Sequence, residues 1–121
     1  MKILIIEDEP LIARSLKKLL ERKGCSVFWE ANGNDAIKTI QQKKFDRIIC
    51  DLMLQDISGF DVIEESKNLY KSSEISERII IITAYSSPQV ITRAEQYGCI
   101  VLSKPFDDIN EAIRIFIEGA K

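Results

Sequence analysis

Asp51 closes the apolar run Ile48-Ile49-Cys50, and three other apolar runs lead into side chains suited to the same chemistry. Glu7, Asp8 and Glu9 follow Ile3–Ile6, Thr83 follows Ile79–Ile82, and Ser103-Lys104-Pro105 follows Ile100–Leu102. A carboxylate can attack phosphorus as a nucleophile. Clustered carboxylates can hold a hard divalent cation through oxygen atoms. An ammonium and a hydroxyl can neutralise the oxygens of a transferring phosphoryl group. Asp8, Asp51, Thr83 and Lys104, with the acidic neighbours of Asp8, therefore hold the parts for making an acyl phosphate on Asp51 beside Mg²⁺.

The chain has no histidine. That removes the Ser-His triad, histidine zinc ligands, an imidazole base and any phosphohistidine of its own. Cys25, Cys50 and Cys99 are widely spaced and form no CxxC pair, so neither a zinc ribbon nor a redox motif is indicated. Cys50 and Cys99 sit in apolar runs and read as core residues.

Each candidate residue also has an ordinary structural reading. An Asp ending a strand commonly caps a helix or turn. Glu7, Asp8 and Glu9 could simply favour the positive end of a following helix. Thr83 could be a plain strand residue, and Lys104-Pro105 a solvated turn. These readings weaken together if all four groups gather at one rim of a sheet.

The elements that would bring them there are legible. The strand candidates are Ile3–Ile6, Ser26–Glu30, Arg47–Asp51, Ile79–Thr83 and Ile100–Ser103. Four are nearly continuous in Ile, Val, Leu and Cys, as in parallel strands covered on both faces; the mixed Ser26–Glu30 belongs at an edge. Between them lie amphipathic stretches with apolar stripes at Leu11, Ile12, Leu16, Leu19 and Leu20, then at Ala36, Ile37 and Ile40, at Val62 and Ile63, and at Val90, Ile91 and Ala94. The last carries Ile109, Ala112, Ile113, Phe116 and Ile117. Asn32 or Asn34, Ser58, and Asp107 or Asp108 are candidate N-caps, Pro88 fits a first turn, and Gly24 and Gly98 are candidate stops. The order βαβαβαβαβα predicts an α/β fold, a parallel sheet with helices on both faces. The polar stretch Asn68–Glu77 is expected to be a surface connection.

In such a sheet, ligands bind beyond the carboxyl ends of the strands, where strand order reverses. If the first and third strands meet there, Asp8 and Asp51 face each other, with Thr83 and Lys104 flanking Asp51. Carboxylates about 4 Å apart repel by roughly 4 kcal/mol per pair at an effective dielectric near 20. Protonating one or binding a cation relieves this, and Mg²⁺ suits the oxygen-only set.

The sequence resembles the response-regulator receiver domains of two-component signalling over essentially its whole length. The resemblance is carried by Ile3-Leu4-Ile5-Ile6-Glu7-Asp8-Glu9-Pro10, Asp51-Leu52-Met53-Leu54 with Ser58-Gly59, Ile82-Thr83-Ala84 and Lys104-Pro105-Phe106. It implies a single receiver domain over residues 1–121, with a flavodoxin-like, doubly wound (βα)5 fold whose five parallel strands run in the order 2-1-3-4-5. It implies Asp51 as phosphoacceptor, Asp8 as a direct Mg²⁺ ligand, Glu7 as an acidic neighbour acting through metal-bound water, and the Met53 carbonyl as a further ligand. Thr83 is implied as the switch hydroxyl, Ala84 as the small residue leaving room for the phosphoryl group, and Lys104 as its cationic partner. The Lys104-Pro105 bond is expected to be cis.

Three positions depart from the family pattern. Glu7 stands where Asp is more common, Gln55 where Pro is usual, and Val101 where many members carry an aromatic ring that moves with the switch hydroxyl. The expected function is a phosphorylation-controlled switch. A sensor histidine kinase or phosphotransfer protein would load Asp51, and the output would pass to a downstream protein or to an output domain outside these residues. The alternatives are a pseudo-receiver, never phosphorylated, and an aspartyl phosphatase of the haloacid-dehalogenase type. The latter places a second Asp two residues after its nucleophile, where this chain has Met53. The chain has 17 basic and 19 acidic residues and no basic run, so no direct nucleic-acid contact is expected. Its apolar runs are too short to span a bilayer and its start is unlike a signal peptide, so a cytoplasmic location is expected.

Overall fold

A computed structural model describes residues 1–119. The elements are β1 (Lys2–Ile6), α1 (Pro10–Arg22), β2 (Ser26–Glu30), α2 (Gly33–Gln42), β3 (Arg47–Asp51) and α3 (Gly59–Ser66), followed by α4 (Ser72–Arg78), β4 (Ile79–Thr83), α5 (Pro88–Tyr97), β5 (Ile100–Ser103) and α6 (Ile109–Glu118). The strands form one parallel sheet in the order β2-β1-β3-β4-β5. Strand order reverses between β1 and β3, which opens a crevice beyond their carboxyl ends.

Alternation along the strands divides the core in two. Leu4, Ile6, Ile48, Cys50, Ile79 and Ile81 face α2, α3, α4 and α5, meeting Ala36, Ile40, Phe60, Ile63, Ile75 and Ala94. Ile3, Ile5, Ile49, Ile80 and Ile82 face α1 and α6, meeting Leu16, Leu20, Ile113 and Phe116. Because both faces are covered, the central strands are apolar at nearly every position. Each fully buried isoleucine of β4 contributes about 1.5–3 kcal/mol by leaving water. β2 lies at one edge, as its mixed composition predicts, and β5 at the other, where Ile100, Val101 and Leu102 are partly buried and Ser103 is exposed.

The helix starts follow the predicted chemistry. Asn32 Oδ1 accepts from Asp35 N at 2.8 Å, which selects Asn32 over Asn34 as the cap of α2. Ser58 and Asp61 form a reciprocal capping box on α3, and Asp108 rather than Asp107 caps α6. Gly24 and Gly98 follow α1 and α5 with φ of +89° and +72°, the left-handed backbone that glycine adopts without strain.

One expectation is corrected. The polar stretch Asn68–Glu77 does lie mostly at the surface, but from Ser72 onward it is helix, α4, rather than a plain connection. Ile75 is its one core-facing residue, and a single inward side chain in seven residues produces no readable helical period.

Candidate functional site

The sheet register assembles the site. Ile6 pairs with Cys50, so the next residues, Glu7 and Asp51, leave adjacent strands side by side. Asp51 pairs with Ile82 and Thr83 with Ser103, which places Thr83 at the end of β4 and Lys104 one residue beyond β5. Glu7, Asp51 and Thr83 are buried, and Asp8 is half-buried at the mouth. One carboxylate oxygen from each of Glu7, Asp8 and Asp51 lies within 4.8 Å of the others.

Lys104 reaches into this cluster from the far side. Its Nζ donates to Glu7 Oε1 at 2.8 Å and to Asp51 Oδ2 at 3.0 Å. Burial alone disfavours the Lys104 ammonium, but its bonds to Glu7 and Asp51 together outweigh that and raise its pKa. Burial pushes Glu7 up to about 7; Lys104 opposes the shift and Asp51 reinforces it. One ammonium thus faces three carboxyl groups, and Glu7 is poised to hold a proton when no second cation is near. This oxygen-only set, two buried and one at the mouth, fits a small hard divalent ion.

The backbone around the cluster is held by further contacts. Trp29 Nε1, at the end of the edge strand, donates to Glu7 O at 2.8 Å. Met53 N donates to Asp51 Oδ1 at 3.1 Å, and Met53 makes an isolated antiparallel bridge with Ser58. Gly59 N donates to Leu52 O at 3.0 Å, bringing the chain back beneath Asp51. A Cβ on Gly59 would lie 2.4 Å from Asp51 O and 2.9 Å from Leu52 Cα, so only glycine fits this close backbone approach.

The structure brings Glu7, Asp8, Asp51 and Lys104 together. Thr83 is adjacent, but its Oγ1 turns to its own loop, donating to Tyr85 O at 3.1 Å and accepting from Tyr85 N at 3.0 Å. Ala84 follows on the exposed turn. The Lys104-Pro105 bond is cis. Val101 is partly buried against the core beneath α5, so no ring fills that place. Cys50 lies under Asp51, fully buried, with burial raising its thiol far above the ordinary range.

Sequence reasoning missed two residues at this rim. Trp29 belongs to a strand with no recognised site residue, and its hydrogen bond to Glu7 depends on the pairing of β1 with β2. Asp56 reads as an ordinary turn carboxylate. It accepts from Gly33 N and Asn34 N at the start of α2, at 2.9 and 2.8 Å, whereas its signal in the sequence, an Asp in a loop between a strand and a helix, is shared by many loops without such partners.

The family model described as response regulator receiver domain matches residues 3–115. The sporulation initiation phosphotransferase F of Bacillus subtilis is 26% identical over 96% of this chain and 93% of its own length. The uncharacterized transcriptional regulatory protein YbdJ of Bacillus subtilis is 32% identical over 88% of this chain, which spans only 45% of that protein. Among solved structures, the response regulator protein TrrA of Thermotoga maritima in complex with Mg²⁺-BeF superposes with a TM-score of 0.74 at 29% identity. The match covers 95% of this chain and 97% of that one.

Proposed function

The chain belongs to the response regulator receiver domain family, and from that premise we propose that Asp51 is the phosphoacceptor of a Mg²⁺-dependent signalling switch. The observation that carries the assignment is the buried Asp51 carboxylate, 3.0 Å from Lys104 and grouped with Glu7 and Asp8. Residues 1–121 are read as one receiver unit.

Asp51 attacks the phosphorus of a phosphohistidine on a sensor kinase or phosphotransfer protein. A P–O bond forms to the carboxylate as the P–N bond breaks, and the imidazole takes a proton from solvent. Glu7, Asp8, Asp51 and the Met53 carbonyl would hold Mg²⁺, which supplies positive charge to the phosphoryl oxygens when bound. Lys104 pairs with another of those oxygens. Thr83 leaves Tyr85 to donate to the phosphoryl group, and Ala84 leaves room for it. That exchange alters the loop before α5, and the resulting bias is limited to the differential energy of the new contacts. Hydrolysis resets the switch: water attacks phosphorus, the bond to Asp51 breaks and phosphate leaves. Met53 and Tyr85, both exposed, flank the water's approach and tune its rate.

The test is transfer from a phosphorylated histidine kinase or from acetyl phosphate, with and without Mg²⁺. Wild type should acquire a base-labile label and Asp51→Asn should not; labelling of Asp51→Asn would reject the assignment. The pseudo-receiver reading rests on the two departures at Val101 and Gln55. It predicts that beryllofluoride with Mg²⁺ leaves the Tyr85 loop unchanged.

Among the described residues, no helix is long and apolar enough to cross a membrane. We place the reaction in the cytoplasm, where a kinase would meet the site. Output through a partner protein, as for a stand-alone relay, or through a further domain, as in a longer regulator, are both consistent with the lengths of the relatives.

A further inference from the structure

The first turn of α2 leaves its N–H groups without partners inside the helix, as every helix start does. Here they are satisfied from two places. Asn32 serves Asp35 N, whereas Gly33 N and Asn34 N donate to Asp56 Oδ1 and Oδ2 at 2.9 and 2.8 Å. Asp56 is over 20 residues away in sequence, on the loop between Asp51 and α3. Desolvation works against its charge, but the amides of Asn34 and Gly33, then those of Ile57 and Asp56 itself, outweigh it and lower its pKa.

The neighbouring contacts show what this clamp holds. Ile57 packs over Gly33 so closely that a Cβ there would lie 2.4 Å from Ile57 Cγ1. The ends of the loop are pinned at Leu52, which donates to Ile82 O, and at Gly59, which donates to Leu52 O. Between them lies Met53, bridged to Ser58 and donating to Asp51. At the loop's apex stands Gln55, where the family usually has the stiffer proline.

We propose that Asp56 is a positioning residue: by clamping the loop apex to the start of α2, it fixes Met53 beside Asp51 and so sets the affinity for Mg²⁺. The clamp does the work of the absent proline. This rests on the metal reading given above.

The test titrates Mg²⁺ alone against the full chain, by calorimetry and by the emission of Trp29, the only tryptophan. Asp56→Ala should weaken Mg²⁺ binding about five-fold, as the loss of one helix-capping side chain predicts. Asp56→Asn, which keeps one acceptor oxygen, should fall between them. Gln55→Pro added to Asp56→Ala should restore most of the affinity by stiffening the loop independently. Unchanged affinity in Asp56→Ala, or no recovery with Gln55→Pro, would overturn the proposal alone. Absence of Mg²⁺ binding by the wild-type chain would overturn the metal reading as well.

Discussion

Lys104 Nζ lies 3.0 Å from Asp51 Oδ2 although the two residues are 53 apart in the chain. The same nitrogen lies 2.8 Å from Glu7 Oε1. A buried ammonium shared by two carboxylates offsets part of the repulsion in a site that stays short of positive charge.

Removing that ammonium should therefore be felt before any phosphoryl group arrives. Lys104→Met should lower metal-free stability by about 3 kcal/mol at pH 8, because it strands buried carboxylates. The loss should shrink at pH 6, where Glu7 takes up a proton, and when Mg²⁺ is added. Urea unfolding under the three conditions measures this; an equal loss in all three would contradict the picture.

The pH dependence has a definite sign. Glu7 rises from an ordinary 4.5 to about 7 on folding, so the folded state binds the extra proton. Its contribution to metal-free stability is full below pH 4.5 and is lost as pH rises through 7. Mg²⁺ competes with the same proton, so its affinity should climb by up to about ten-fold per pH unit below 7 and level off above. Metal titrations from pH 5.5 to 8.5 check this, and Glu7→Gln should flatten the profile.

Gly59→Ala should damage stability and phosphorylation together. The added Cβ meets Asp51 O and Leu52 Cα, which are backbone atoms without a rotamer to escape into. We expect about 2–3 kcal/mol of destabilisation from overpacking and slower labelling of Asp51. Thermal unfolding and labelling kinetics on one preparation measure both.

Arg47→Leu should separate stability from chemistry. Arg47 Nε donates to Phe116 O at 2.7 Å and Nη2 to Ile117 O at 3.1 Å, while Nη1 donates to Glu77 O. The side chain thus ties the ends of α6 and α4 to the start of β3. Its loss leaves these carbonyls short of partners and should cost about 2–3 kcal/mol. The labelling rate of the folded fraction should stay near that of wild type, since the site lies at the opposite end of the strand.

Much of this was readable in the sequence because the central strands are apolar throughout and each ends in a residue of distinct chemistry. Asp51, Lys104 and the acidic pair at 7 and 8 needed only the strand order to bring them together. Helix α4 escaped because Ile75 alone faces the core. Asp56, Trp29 and Arg47 escaped because their partners are backbone groups on distant segments, and local sequence carries no mark of a tertiary acceptor. The direction of the Thr83 hydroxyl was equally hidden, since it depends on the turn that Tyr85 makes.

The separation of Glu7 and Lys104 by 97 positions has a consequence during synthesis. A growing chain displays its acidic groups early, but the lysine that completes the acceptor emerges only with the last strand. Until then a donor would meet an aspartate lacking its counter-charge and its neighbouring strand. On the proposed reading, competence to accept a phosphoryl group thus arrives late, and a product ending before β5 would lack the site's cation.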